Sequence, residues 1–239
     1  MKLSILKKLK VNGFKVFASL PDMGKVGGLV STYLAQNLQT DYIAKIISNE
    51  KPWVFYSDGI VKVAEDVYNI YYDKSNKLLI FSGNSQPQES IELHKLCNTF
   101  LDYVQTIGKI NLLYAAGGYL HEQLAGAPKV YGVVNNPKLH KILKKSEIDP
   151  IGNEVNSITW FNGLILGLAA ARNIDAIGLF GEISEATIPQ PLAAKSIVKA
   201  FAKIENIRLD TKPLDRQYEA VLEDIQKQKE PSQFRSDIR

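Results

Sequence analysis

The feature that most constrains the fold is an alternation of short apolar segments with helical patterns between residues 110 and 206. INLLYAAG, KVYGVV and IDAIGLFGEIS are apolar almost throughout, as in strands that are buried on both faces of a parallel sheet. Helical patterns accompany them in PKLHKILKKS, ITWFNGLILGLAAARN and PQPLAAKSIVKAFAKI. This order predicts a right-handed series of βαβ units.

The first half of the chain predicts antiparallel strands as well. Residues 14–20 form a predicted strand, and a glycine loop joins it to a first long helix that begins near Gly27. YIAKIIS, WVFYSD and GIVKV are predicted as short strands, and VYNIYYDKSNKLLIFSG as a hairpin that bends at 74–76. A helical pattern follows at 87–107. The predicted fold class is therefore α/β, a three-layer sandwich with a mixed, partly parallel sheet.

The end of the chain predicts an amphipathic helix at about 213–229, followed by a polar, flexible tail at 231–239. One face of this helix is apolar, and either packs on the chain's own sheet or forms part of a self-association contact. Its residues are Leu214, Tyr218, Val221, Leu222 and Ile225. Because no long linker interrupts the sequence, residues 1–239 are predicted to form a single domain with its core at about 14–206. GYLHEQLAGAP is predicted as a loop or weak helix.

Charge and cysteine content narrow the choice of partners and compartment. The net charge of +4 comes from 29 basic and 25 acidic residues. Lys2, Lys7, Lys8 and Lys10 equal that excess, so the body is near neutral and nucleic acid is not an expected partner. This N-terminal arm is expected to be a solvated terminus. Cys97 is the only cysteine, which favours a reducing, cytoplasmic location, and the apolar stretch at 158–174 is too short to predict a membrane span.

The loop LPDMGKVGGLV offers two interpretations. The P-loop pattern fails, because Ser19 stands where its first glycine belongs and Val26 where its hydroxyl belongs. The dinucleotide-binding glycine spacing fails as well. What remains is an anion or ligand loop at a helix N-terminus, or glycines that let a helix pack closely on a strand. The residues concerned are Gly24, Lys25, Gly27 and Gly28.

Residues able to carry catalysis are few. Cys97 lies on the apolar stripe of its helix, as a core thiol does, and His94, His121 and His140 share no motif spacing. Glu182 follows a buried strand, where α/β proteins bind ligands, and is the best candidate for a site acid. Alternatively, it accepts hydrogen bonds from loop amides or lies at a subunit contact. The sequence predicts no catalytic residue, no metal site and no cofactor.

Three blocks together resemble one known family. GKVGGLVSTYL, TWFNGLILGLAAARNIDAIGLFGEIS and PQPLAAKSIVKAF are similar to the PAC2 family, the archaeal and bacterial relatives of proteasome assembly chaperone 2, over residues 14 to about 206. The resemblance implies a phosphorylase/hydrolase-like α/β fold, homo-oligomers and an assembly-chaperone role. The implied partners are the chain itself and proteasome-type subunits or assembly intermediates. Some relatives end in a hydrophobic-Tyr-any tripeptide, whereas this chain ends in Asp237, Ile238 and Arg239.

Two classes of function follow from these observations. The first is a non-enzymatic chaperone-like protein that acts through a protein-binding surface. The second is a small-molecule enzyme of phosphorylase or hydrolase type that uses the Gly24–Gly28 loop and Glu182. The missing nucleophile, metal set and catalytic histidine favour the first.

Overall fold

A mixed β-sheet between two helical layers forms the body of the chain. The computed structural model describes residues 1–51, 53–121, 126–152 and 155–229. The strands are β1 (Lys2–Ile5), β2 (Phe14–Ala18), β3 (Thr40–Ser48), β4 (Val54–Ser57), β5 (Ile60–Val63), β6 (Asp66–Asp73), β7 (Leu78–Gly83), β8 (Ile110–Leu120), β9 (Val130–Val134), β10 (Asp149–Pro150) and β11 (Ala176–Ile183). The helices are α1 (Val26–Asn37), α2 (Ser90–Ile107), α3 (His140–Lys145), α4 (Trp160–Ala171), α5 (Pro191–Glu205) and α6 (Lys212–Lys229).

The central strands of the sheet run parallel, and both flanks add antiparallel neighbours. Among the described residues the strand order is β1-β3-β6-β7-β2-β8-β11-β9-β10, with β4 and β5 forming a separate hairpin. β7, β2, β8 and β11 form consecutive parallel pairs. β1, β3, β6 and β7 are joined by antiparallel pairs. The predicted mixed, partly parallel sheet is therefore confirmed.

The segment KVYGVV departs from the predicted parallel series. It forms β9, which pairs antiparallel with β11 and parallel only with the short β10. Most of its residues are half-buried rather than buried on both faces. The prediction of a parallel strand here was wrong, because a short apolar run does not specify the direction of a strand relative to its neighbour.

The chain also departs from expectation at two other segments. The N-terminal lysine arm, expected as a solvated terminus, places Lys2–Ile5 in β1, an edge strand that pairs antiparallel with β3. β8 continues to Leu120, into the segment predicted as a loop or weak helix. Residues 122–125 of that segment lie outside the described residues.

Two apolar clusters, one on each face of the sheet, hold the three layers together. On the face covered by α2 and α4, the Phe81 ring lies 4.3 Å from Phe100 and 5.2 Å from Phe161 between centroids. On the face covered by α1 and α5, the Phe201 ring meets Phe17 and Tyr114, each at 5.1 Å. Alternate residues of β7 point into the two clusters, and all six are buried. Burial on both faces explains why the central strands are apolar almost throughout.

Local signals explain the two elements predicted most closely. The Asp73 carboxylate accepts hydrogen bonds from the amides of Ser75 and Asn76, at 2.8 and 3.3 Å, and so closes the predicted bend between β6 and β7. The C-terminal helix spans Lys212–Lys229, close to the predicted 213–229.

No helix of the described ranges is both long and apolar enough to cross a bilayer.

Candidate functional site

A cavity of about 790 Å³ opens at the carboxyl ends of the parallel strands. Its walls come from the segments that follow β2, β7 and β11, from residues near the ends of β8 and β11, and from the start of α4. Ile151, Val155 and residues 157–159, which precede α4, complete the lining. After the neighbouring strands β2 and β7, the chain continues into α1 and α2, which cover opposite faces of the sheet. This divergence makes the cavity a topological switch point, where open α/β sheets bind their ligands.

Asp22 lies at the inner end of the glycine loop and lines this cavity. Its carboxylate accepts hydrogen bonds from the Gly27 amide at 2.8 Å and the Gly118 amide at 2.7 Å, so it joins α1 to β8. Burial raises the pKa of this carboxyl to about 6, although the amide bonds oppose the shift. The chain itself therefore supplies a carboxylate near the N-terminus of α1. Asp22 was not among the residues predicted from the sequence, although an acidic residue just before a helix is a signal for such a role.

The glycines of the loop serve close packing. Gly24 has a left-handed backbone (φ 61°), and a Cβ at Gly27 would lie 2.5 Å from the carbonyl oxygen of Ala116. A Cβ at Gly28 would lie 2.6 Å from Cγ of Pro21. These contacts agree with the packing interpretation of the loop, while its capacity to bind an anion stays a prediction.

Two non-glycine residues at the cavity have left-handed backbone conformations. Lys25 has a φ of 54°, and Trp160, the first residue of α4, has a φ of 60°. Both line the cavity, and 46% of Trp160 is exposed. Such conformations cost on the order of 1–3 kcal/mol each in side chains other than glycine, and they concentrate at functional sites. No ion pair of the Lys25 ammonium occurs within the described ranges.

Side-chain amides fix the floor of the cavity. The buried Asn162 amide bonds both the N–H and the carbonyl of Leu20, each at 3.0 Å. Gln86 donates to the carbonyl of Pro21 at 2.9 Å and accepts from the Phe161 amide at 3.0 Å. Because these bonds join the segments after β2 and β7 to α4, the loops form one rigid unit.

Glu182 lies outside the cavity lining. It is 6% exposed, and its carboxylate accepts hydrogen bonds from the Lys129 amide and the Tyr131 hydroxyl, both at 2.9 Å. The bond to Glu182 raises the pKa of Tyr131 to about 12. Glu182 therefore accepts a hydrogen bond from a backbone amide, which was the alternative role predicted from the sequence. It does not line the cavity beside the glycine loop.

The hairpin β4–β5 carries the largest group of exposed apolar side chains among the described residues. Seven large side chains are more than half exposed there: Trp53, Val54, Phe55, Tyr56, Ile60, Val61 and Val63. In the register of the hairpin, Val54 opposes Val63 and Tyr56 opposes Val61, so these four share one side. We call this wholly uncharged side the hairpin face. The sequence predicted both strands, but it did not indicate that their side chains are left exposed by the described part of the chain.

The predicted apolar stripe of α6 divides into two parts. Leu214 is fully buried in the apolar cluster on the face that α1 and α5 cover, and the Lys195 ammonium lies 2.5 Å from the Asp215 carboxylate. Tyr218, Val221 and Ile225 are half-buried, and Leu222 is 41% exposed. Packing on the chain's own layer therefore accounts for the start of the stripe, while its role in assembly stays a prediction.

The remaining candidates offer little chemistry. Cys97 is buried in the apolar cluster under α2, and burial raises the pKa of its thiol to about 12. The described residues contain no group of three or more His, Cys, Asp or Glu side chains able to hold a metal. His94 and His140 lie on α2 and α3, and His121 follows β8.

Comparison with known proteins places this architecture in a family. The family model described as the PAC2 family matches residues 16–229. The chain belongs to the PAC2 family. An uncharacterized protein of Methanocaldococcus jannaschii is 27% identical over 211 residues, covering 87% of this chain and 80% of the relative. The resemblance noted from the sequence is thereby confirmed.

Solved structures of PAC2 relatives share the fold. PbaB of Pyrococcus furiosus, described as an archaeal proteasome activator, superposes with a TM-score of 0.80 at 24% identity and covers 95% of this chain and 97% of its own. PbaA of the same organism, described as an archaeal homolog of proteasome-assembly chaperone, gives 0.76 at 18% identity, with 95% and 96% covered. At these identities the likeness shows the PAC2 fold.

Proposed function

We propose that this PAC2 protein is a non-enzymatic, proteasome assembly chaperone-like protein that acts through protein contacts as a homo-oligomer. The observation that carries the proposal is the uncovered hairpin face, because a protein-binding surface is what a chaperone of this kind requires. The relatives PbaB and PbaA, described as a proteasome activator and an assembly-chaperone homolog, support proteasome-type subunits or assembly intermediates as partners. The single cysteine supports a cytoplasmic location, and the near-neutral body supports neither nucleic acid nor membrane as a partner.

For self-association we propose the hairpin face as a principal contact with a second copy. A lone two-stranded hairpin is marginally stable in water, so covering its apolar side chains would stabilise it. The four side chains of the hairpin face present on the order of 100 Å² each, which is about half of the ~800 Å² that each partner gives to a stable interface, so the face would form part of a larger contact. Because the face bears no charge, it meets a copy of itself across a two-fold axis without like-charge repulsion.

Light scattering coupled to size-exclusion chromatography tests the contact. We expect wild-type protein to form an oligomer, and Tyr56→Asp with Val61→Asp to shift it to the monomer mass of 26.6 kDa. Leu222→Asp is the control, because it also places an aspartate on an exposed apolar residue, in this case of α6. A wild-type monomer at all concentrations refutes self-association, and dissociation by the control alone assigns the contact to α6.

Interferometry against proteasome α-type subunits tests the partner. We expect binding that weakens at least tenfold in the Tyr56→Asp, Val61→Asp protein, because assembly presents several copies together. Deleting residues 231–239 should change binding less than twofold, since the proposed contact lies on the hairpin face. Undetectable binding by the wild-type oligomer would contradict the proposed partner.

The enzyme alternative has less support. It required the Gly24–Gly28 loop and Glu182 to act on one substrate, and Glu182 does not line the cavity beside that loop. Its carboxylate is instead committed to the Lys129 amide and the Tyr131 hydroxyl.

A further inference from the structure

The cavity at the switch point has the size and lining of a small-molecule site, and no residue of the hairpin face lines it. Its volume of about 790 Å³ lies within the usual range for such sites. Its lining is mostly apolar, and Tyr119, Trp160 and Phe180 bring aromatic rings to it. Trp160 is 46% exposed, so its indole has surface left to contact a ligand. A ligand that packs on these rings would bury a flat apolar body.

Two charged side chains line the cavity among the described residues, and only one of them has partners. The Asp22 carboxylate accepts hydrogen bonds from the backbone amides of Gly27 and Gly118. Its own amide and the Asn162 side chain bond it as well. The Lys25 ammonium has no ion-pair partner in the described part of the chain. The charge that is left for a ligand to neutralise is therefore positive.

The backbone that carries Lys25 is held in place by the segment after β11. The Gly24 N–H donates to the carbonyl of Ala186 at 2.6 Å, and the Gly24 carbonyl accepts from the Gln190 N–H at 2.8 Å. Lys25 has a left-handed backbone, with a φ of 54°, which is costly in a residue other than glycine. Because these bonds maintain the conformation, the lysine side chain starts from a fixed point at the cavity wall.

The donors that remain at the cavity decide which anion fits. A phosphate group at a helix N-terminus needs free backbone amides, and those of Gly27 and Gly118 already donate to Asp22. The Asp22 carboxylate would also repel a multiply charged group more strongly than a singly charged one. A single ammonium can instead bind one carboxylate through a charge-assisted hydrogen bond. A ligand with one carboxylate on an apolar body therefore fits this cavity better than a phosphate ester does.

We propose that this cavity binds a small aromatic monocarboxylate, with its carboxylate on the Lys25 ammonium and its ring against Trp160 and Phe180. The proposal goes beyond the protein-binding function, and neither depends on the other. The glycine loop then binds an anion through one side chain, while the amides at the start of α1 stay with Asp22.

Two indoles of nearly the same shape but different charge test this assignment. Indole-3-acetate and the neutral indole-3-acetamide are titrated into the full-length, isotope-labelled protein. NMR follows the Gly118 amide and the Trp160 side-chain N–H, which both belong to residues that line the cavity. We expect indole-3-acetate to bind at least tenfold more tightly and to shift both resonances. Equal affinities, tighter binding of indole-3-acetamide, or binding of neither compound overturns the proposal.

Variants of Lys25 test the charge. Lys25→Met removes the ammonium from a side chain of similar length, and should reduce the preference for indole-3-acetate to less than threefold. Lys25→Arg retains the charge and should retain the preference. Lys77→Met is the matched control, because Lys77 is also an exposed lysine with a left-handed backbone, at a φ of 49°. It precedes β7, whose other end leads to the cavity, so its loss should leave the preference unchanged.

A variant of Trp160 tests the ring. Trp160→Ala should weaken the binding of both compounds severalfold and leave the ratio of their affinities unchanged. Unchanged affinities in this variant contradict the site. So does a Lys25→Met protein that keeps the tenfold preference, or an equal loss of preference in Lys77→Met.

Discussion

At the scale of single residues, Asp22 is the group whose chemistry depends most on the fold. Its pKa rises from an ordinary 3.8 to about 6 because the carboxyl is buried. Its hydrogen-bond partners, the amides of Gly27, Gly118 and Asn162, do not titrate in this range. The native protein therefore holds a proton at Asp22 over an interval of pH in which the unfolded chain has released it.

The free energy of unfolding should depend on pH because of this raised pKa. Between about pH 4 and pH 6 the native state binds more protons at Asp22 than the unfolded state, so this residue's contribution falls as pH rises and is constant above that range. Relative to Asp22→Asn, wild-type protein should lose about 2 kcal/mol between pH 4 and pH 7. Urea denaturation at several pH values measures the difference. A difference between the two proteins that does not vary with pH would show an ordinary pKa at Asp22.

Gly27 allows a matched test of close packing. A methyl group there would lie 2.5 Å from the Ala116 carbonyl oxygen and 2.6 Å from that of Leu20, so Gly27→Ala should destabilise the protein by about 2 kcal/mol. Gly167 also lies in a helix, α4, but a Cβ there meets nothing within 4 Å. Gly167→Ala should stabilise by roughly 0.5–1 kcal/mol, since alanine is the better helix former. Chemical denaturation compares the two, and equal effects would contradict the packing role.

At the scale of elements, α6 combines a buried start with an exposed end. Leu214 is fully buried in the apolar cluster that α1 and α5 cover, whereas Leu222, two turns later, is 41% exposed. Leu214→Ala should lower the free energy of unfolding by about 3 kcal/mol, and Leu222→Ala by less than about 0.5 kcal/mol. Denaturation at a concentration that keeps the protein monomeric measures both, so that assembly does not enter. A comparable loss in Leu222→Ala would mean that the whole stripe packs on the chain.

The sequence predicted most elements but not their partners. Apolar runs such as β8 and β11, and the Asp73 bend, are encoded by neighbouring residues, so they could be recognised. The direction of β9 and the pairing of β1 with β3 depend on distant strands, and no local pattern specifies them. The candidate site was predicted only in part for the same reason. The Asp22 carboxylate accepts a hydrogen bond from Gly118, which is 96 residues away in the sequence. Trp160 has a left-handed backbone conformation that no local sequence pattern predicts.

At the scale of the whole molecule, we propose that residues 1–239 form a single domain with its core at about 14–206. One sheet runs from β1 to β10, and Asp22, Asn162 and Gln86 join its loops across large sequence separations. Calorimetry of the monomeric Tyr56→Asp, Val61→Asp protein should therefore show one transition, with equal van't Hoff and calorimetric enthalpies. Two resolved transitions would divide the chain into separate folding units.

The short strand β10 has a consequence for how copies of this protein meet. It contains only Asp149 and Pro150, and it forms one border of the large sheet. Proline has no N–H to donate, and two residues are too few to template a further strand. Hydrogen-bonded extension of the sheet from chain to chain is thus disfavoured on this side. An assembly that used this border would have to be held by side-chain contacts instead of backbone hydrogen bonds.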